Sequence, residues 1–165
     1  MRVVLIVLLV LLAAPGARAE LPAGLAGYWR GTVLDEGAEL PVDLRLTDSR
    51  SGFEIAITLP RTTPLKASMV PAAAPGVFQE AASRGLFSFF NGDDDRSVLD
   101  GRPLIWARQT EEGIVAYRLH VAQDGGSELL RIAVTPSAEG LAVMLERRLD
   151  GMRQPDLQGV LDRRE

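Results

Sequence analysis

Apolar and polar residues alternate with a period of two along much of this chain, most clearly in two neighbouring segments. The apolar positions are Leu40, Val42, Leu44 and Leu46 in the first segment, and Phe53, Ile55, Ile57 and Leu59 in the second. Such a period places successive side chains on opposite faces of a β-strand. A polar turn at residues 48–52 separates the two segments. The pattern therefore predicts a β-hairpin with one apolar face.

The rest of the chain predicts further short strands, separated by turns rich in glycine, proline and aspartate. These strands are residues 25–34, 65–70, 77–81, 86–90, 104–110, 114–122, 128–135, 141–148 and 157–163. A short helix over residues 79–84 competes with the hairpin formed by 77–81 and 86–90. Strands at this even spacing predict an all-β fold, an antiparallel meander of about 8–10 strands that closes into a barrel. A β-sandwich is the alternative.

Residues 1–19 have the features of a secretory signal peptide. Arg2 supplies a positive charge, residues 3–14 are uninterrupted apolar residues, and Ala17-Arg18-Ala19 fits the small-x-small cleavage pattern. The apolar run is shorter than the roughly 20 residues that a membrane-spanning helix needs, and an uncleaved anchor is the alternative. The sequence predicts cleavage after Ala19, a periplasmic or secreted location, and a single domain over residues 20–165.

The composition excludes several kinds of site. The chain has no cysteine, so disulfides, zinc–thiolate centres and thiol nucleophiles are impossible. It carries 22 acidic and 18 basic residues, and cleavage of the leader would remove Arg2 and Arg18 from the basic ones. An acidic domain of this kind is not expected to bind nucleic acid or an anionic membrane surface.

The first predicted strand opens with Gly27-Tyr28-Trp29, a G-x-W tripeptide. This tripeptide at the start of an antiparallel meander resembles the lipocalins and the wider calycin-type barrels. The resemblance implies that Trp29 closes the base of the barrel and that an arginine of the last strand lies across it. Alternation puts Arg163 on the inner face of that strand. If the last strand runs antiparallel beside the first, Arg163 meets Trp29 and closes the barrel.

Three aromatic residues are candidates for the lining of a ligand cavity. Alternation groups Tyr117 with Leu119 and Val121, which predicts that this face of its strand points inward and that Arg118 and His120 point outward. Trp106 and Phe89 are the other two candidates. The alternative is that these aromatic side chains are ordinary core residues.

The sequence gives little indication of a catalytic or metal-binding site. Asn91, Asp93 and Asp95 have the spacing of a calcium loop, but arginines occupy the positions that need glycine and glutamate, Arg96 and Arg102. An outward-facing His120 is not expected to act in catalysis. No metal or cofactor is expected. An enzyme remains possible only through paired carboxylates.

The function expected from these observations is an exported, lipocalin-like protein that binds a small, largely apolar molecule. The alternative is a non-enzymatic structural or interaction module of the bacterial cell envelope, with a protein partner and a barrel filled by its own side chains. An outer-membrane barrel is rejected, because it requires aromatic girdles and strands of about ten residues. No membrane span is expected in the mature protein.

Overall fold

The computed structural model describes residues 21–59, 62–81 and 101–165, and every regular element in these ranges is a β-strand. The strands are β1 (Gly27–Asp35), β2 (Ala38–Ser49), β3 (Gly52–Thr58), β4 (Leu65–Pro71), β5 (Val77–Glu80), β6 (Leu104–Gln109), β7 (Ile114–Val121), β8 (Ser127–Ser137), β9 (Gly140–Leu149), β10 (Met152–Arg153) and β11 (Leu157–Arg164). In the described part of the chain, no helix is long and apolar enough to cross a membrane.

The strands form one antiparallel ring. Each strand from β1 to β9 pairs with the next along the chain, and β11 lies between β9 and β1. The two-residue strand β10 pairs only with β9 and stands outside the ring. Ten strands therefore close the barrel, which confirms the predicted barrel and not the sandwich. Closure leaves no free sheet edge in the ring to pair with another chain.

Aliphatic side chains fill the barrel interior. The largest fully buried side chains are Phe53, Leu25, Leu44, Leu46, Ile55, Ile57, Leu65, Met69, Ile114, Leu130, Ile132 and Leu141. Phe53 of β3 also contacts Phe78 of β5 edge to face, with ring centroids 5.0 Å apart. Burial of one such side chain stabilises the fold by about 1.5–3 kcal/mol. The hydrophobic faces predicted for β2 and β3 both point into this core.

Two glycines allow the first and last strands to approach each other closely. A Cβ atom at Gly159 would lie 2.0 Å from the carbonyl oxygen of Thr32, and one at Gly31 would lie 2.6 Å from that of Val160. Both distances are shorter than any non-bonded carbon–oxygen contact, so a side chain at either position would push the two strands apart. The seam between β1 and β11 therefore depends on glycine at these positions.

The inward face predicted for β7 is wrong. Ala116 is completely buried, as is Ala107, which lies opposite it on β6, and Arg118 is only 3% exposed. The inward face of β7 thus carries Ala116 and Arg118, and Tyr117 lies on the outer face. The reason is that the outer face of β7 is more apolar than the inner face, which carries Arg118 and His120, so hydropathy points to the wrong side.

Several sequence-based predictions fall outside the described residues. They are the signal peptide at 1–19, the strand at 86–90 with Phe89, and most of the acidic loop at 91–102. The competing helix over 79–84 is contradicted at its start, because Gln79 and Glu80 belong to β5.

Replacement of Gly159 by alanine should destabilise the barrel, because the new methyl group would collide with the backbone of β1. The expected loss in the free energy of unfolding is about 1–3 kcal/mol, the usual cost of overpacking. Val160→Ala changes the neighbouring, exposed position of the same strand and should cost less than about 1 kcal/mol. Urea unfolding measures both variants. Equal midpoints for the two would contradict the close approach of β1 and β11.

Candidate functional site

One end of the barrel is closed by Trp29 and Arg163, which lie opposite each other on β1 and β11. The Arg163 guanidinium carbon lies 5.6 Å from the centroid of the Trp29 ring, and its Nη2 atom donates a hydrogen bond of 3.0 Å to the carbonyl oxygen of Ala26. The indole nitrogen of Trp29 donates to the carbonyl oxygen of Leu25, also at 3.0 Å. A guanidinium over an indole contributes about 0.5–2 kcal/mol. We call this the closed end.

The opposite end, which we call the open end, contains a cavity of about 170 Å³. At this end β1, β3 and β9 finish and β2, β8 and β11 begin, because neighbouring strands are antiparallel. The cavity is lined by Asp35, Leu40, Leu59, Thr62, Leu130, Leu145, Arg147, Gln154, Pro155 and Leu157. Five leucines and a proline make this lining mostly apolar, and a few polar groups converge on it. Such a combination is typical of small-molecule sites.

A buried ion network lies beside this cavity. The Nη2 atom of Arg118 donates to Oε2 of Glu128 at 2.7 Å, and Nε of Arg147 donates to Oε1 of the same carboxylate at 2.6 Å. Nη1 of Arg118 donates to the carbonyl oxygen of Thr63. The Arg118 side chain is 4% exposed, that of Glu128 15%, and that of Arg147 34%. Two guanidinium groups share one carboxylate, so the formal charge of the three residues is +1.

Two buried polar atoms at this end have no hydrogen-bond partner among the described residues. They are the hydroxyl oxygen of Thr62, which lines the cavity, and Nε of Arg118. A buried polar group without a partner costs about 1–3 kcal/mol, and native proteins rarely leave such groups unsatisfied. Both atoms can donate a hydrogen bond, and an arginine Nε can do nothing else. Among the described residues, these two atoms therefore lack a hydrogen-bond acceptor.

The aromatic candidates from the sequence do not line this cavity. Trp106 and Tyr117 stack on each other across β6 and β7, with centroids 4.9 Å apart and planes inclined by 6°. They lie on the outer face of the barrel, because their neighbours Ala107 and Ala116 point inward. Phe89 lies outside the described residues.

His120 lies two residues beyond Arg118 and directly opposite Glu128 on β8, so it shares the inward face of β7. The outward face predicted for His120 is therefore wrong, as it is for Arg118.

Sequence reasoning missed Thr62, Glu128 and Arg147. A signal for Arg147 was present, because it follows Leu141, Val143 and Leu145 at the same period of two and therefore continues the inward face of β9. Thr62 lies in the connection between β3 and β4 and has no periodic signal.

The outer surface of the barrel differs between its two sides. Around β6, β7 and β8 it carries the apolar residues Leu104, Trp106, Tyr117, Leu119 and Leu129, interrupted by Arg108 and Arg131. Around β1 and β2 it is polar, and Asp43 accepts hydrogen bonds from Nε of Arg30 at 2.6 Å and from the hydroxyl of Tyr28 at 2.7 Å. The hydrogen bond from Arg30, then that from Tyr28, lowers the pKa of Asp43 below its ordinary value.

Within residues 21–59, 62–81 and 101–165, no group of three or more histidine, aspartate or glutamate side chains could hold a metal ion. The calcium-like loop at 91–95 lies outside these ranges. The chain matches no protein-family model, and comparison with curated proteins and with solved structures returned no significant similarity. The candidate site is therefore defined by geometry alone.

Glu128→Gln should destabilise the protein by about 3–5 kcal/mol, because it leaves two guanidinium groups at the open end without their shared counter-charge. Glu146→Gln is the matched control. Glu146 pairs with Arg131 at 2.5 Å on the more exposed outer face, and such pairs contribute at most about 1 kcal/mol. Thermal and urea unfolding compare the two variants. A Glu128→Gln protein as stable as Glu146→Gln would show that the network carries little energy.

Proposed function

We propose that this chain is an exported, lipocalin-like protein that binds a small, largely apolar molecule at the open end of its barrel. The observation that carries the proposal is the leucine-lined cavity, whose wall holds the Thr62 hydroxyl, a buried polar group without a partner among the described residues. The plugged closed end adds support, since it leaves the opposite end as the entrance. The signal-like residues 1–19 support export to the periplasm or the medium.

The volume of the cavity limits the size of the ligand. Drug-sized ligands occupy pockets of about 300–1,000 Å³, whereas an engineered cavity of about 150 Å³ holds benzene. The cavity at the open end, at about 170 Å³, therefore suits a molecule with one ring or a short branched chain. The best very small ligands gain at most about 1.5 kcal/mol per non-hydrogen atom. We expect dissociation constants on the order of micromolar to millimolar for a molecule of this size.

Toluene tests this proposal, because it has the expected size and no polar group. In a titration followed by amide chemical shifts, toluene should saturate and should shift residues around Leu130 and Leu145. Leu157→Trp places a larger side chain at the cavity wall and should abolish these shifts, because no room for the ring remains.

Leu34→Trp is the matched control for this titration. Leu34 lies on the outer face and is 53% exposed, so the same substitution there should leave toluene binding unchanged. Absence of saturable shifts in the wild-type protein, or equal binding by both variants, would contradict ligand binding at the open end.

A second candidate function is an interaction module of the cell envelope. The observation that favours it is the outer apolar surface around the stacked pair Trp106 and Tyr117, next to a barrel interior that is largely filled by its own side chains. A second protein that covered this surface would bury it from water.

Photo-crosslinking from a benzophenone amino acid tests this second candidate in the cell. A label at position 106 should then give a discrete protein adduct, and a label at Lys66, on the polar outer face of β4, should not. Equal labelling from both positions, or none, would contradict a partner at this surface.

A further inference from the structure

We propose that the ligand of the open end is a small organic anion, and that its carboxylate binds to Arg147 and Thr62 with Arg118 and Glu128 behind them. This inference rests on the proposed function and adds the chemical class of the ligand. It follows from the hydrogen-bonding capacity and the charge of the polar groups at the cavity.

Among the described residues, several hydrogen-bond donors at the open end have no acceptor, and the side-chain oxygen of Gln154 is an acceptor in the same lining. Arg118 uses both Nη atoms and keeps its Nε free, and Arg147 uses its Nε for Glu128. No described residue accepts a hydrogen bond from the Nη atoms of Arg147, which lines the cavity. The Thr62 hydroxyl can also donate. A ligand with an acceptor can pair with the Thr62 hydroxyl and the Nη atoms of Arg147, whereas a ligand with donors only cannot pair with those Nη atoms.

The charge at the site favours an anionic acceptor. Arg118, Glu128 and Arg147 together carry a formal charge of +1, and Asp35 elsewhere in the lining carries the balancing negative charge, so the positive charge is concentrated beside Arg147. A carboxylate matches the planar guanidinium group, which can donate to both of its oxygens. Hydrogen bonds to charged groups are also stronger than those between neutral groups.

Two other titratable groups face this end of the barrel and set the orientation of the ligand. Asp35 lines the cavity from β1, which is separated from Arg147 on β9 by the intervening strand β11. Asp35 itself already interacts with another group. A bound carboxylate should therefore lie on the side of Arg147 and Thr62, with the apolar body against Leu130 and Leu145. His120, opposite Glu128, faces the same end of the barrel.

Three ring compounds of nearly equal size test the inference at pH 7: benzoate, toluene and benzylamine. Calorimetric titration of the wild-type protein should show benzoate binding at least tenfold more tightly than either of the other two. Asp35→Asn should tighten benzoate binding, because it removes the opposing negative charge from the cavity wall.

Variants identify the residues that recognise the carboxylate. Arg147→Gln and Thr62→Val should each weaken benzoate severalfold and leave toluene unchanged, because they remove a donor but little volume. Arg164→Gln is the control, since Arg164 is an exposed arginine near the closed end and should bind benzoate as the wild type does. Thr62→Val keeps the test valid if Arg147→Gln fails to fold.

The outcomes separate this inference from the proposed function. If toluene or benzylamine binds as tightly as benzoate, the ligand is not selected for a negative charge. Binding of a small molecule at the open end would still stand. If benzoate binds equally to wild type, Arg147→Gln and Thr62→Val, the assignment of its carboxylate to these residues is wrong. If none of the three compounds binds saturably, the proposed function fails, and this inference fails with it.

Discussion

The pairing of β1 with β11 is the constraint on which the rest of the structure depends. Seven residue pairs, from Tyr28 with Arg164 to Leu34 with Gln158, join the first strand to the last. This pairing converts a linear meander into a ring, so that both outer strands lose their free edges. It also brings Arg163 over Trp29 and aligns the strand ends that form the cavity. The absence of side chains at Gly31 and Gly159 is what allows it.

The two ends of the barrel differ in whether their polar groups are hydrogen-bonded. At the closed end, the indole nitrogen of Trp29 and the guanidinium of Arg163 both find backbone carbonyls. At the open end, Arg118 Nε and the Thr62 hydroxyl have no partner within the part of the chain that the structure describes. Proteins tend to break such local rules where they bind something. Between the two ends, the barrel interior is filled by ordinary aliphatic side chains. The polar groups that distinguish this barrel therefore lie at its ends.

The sequence predicted the barrel wherever a strand has one apolar and one polar face. The leucines of β2 and the isoleucines of β3 show this, and the contact of Arg163 with Trp29 followed from alternation and chain direction. The prediction failed for β7, where Val115, Tyr117 and Leu119 make the outer face more apolar than the inner one. Arg118 can lie inside because the carboxylate of Glu128 neutralises it, and this partner is set by strand register. Register depends on the closed ring and is not visible in a local pattern.

The seam between β1 and β11 also has a consequence for the order in which the molecule can assemble. The hydrogen bond from Arg163 to Ala26 joins residues 137 positions apart, so the ring cannot close before nearly the whole chain is available. Such distant pairings slow folding, and barrels rich in them fold in milliseconds to seconds. Until closure, β1 and β9 each present an unpaired edge that can add strands from other chains. An incomplete or truncated chain is therefore the species of this protein most prone to aggregate.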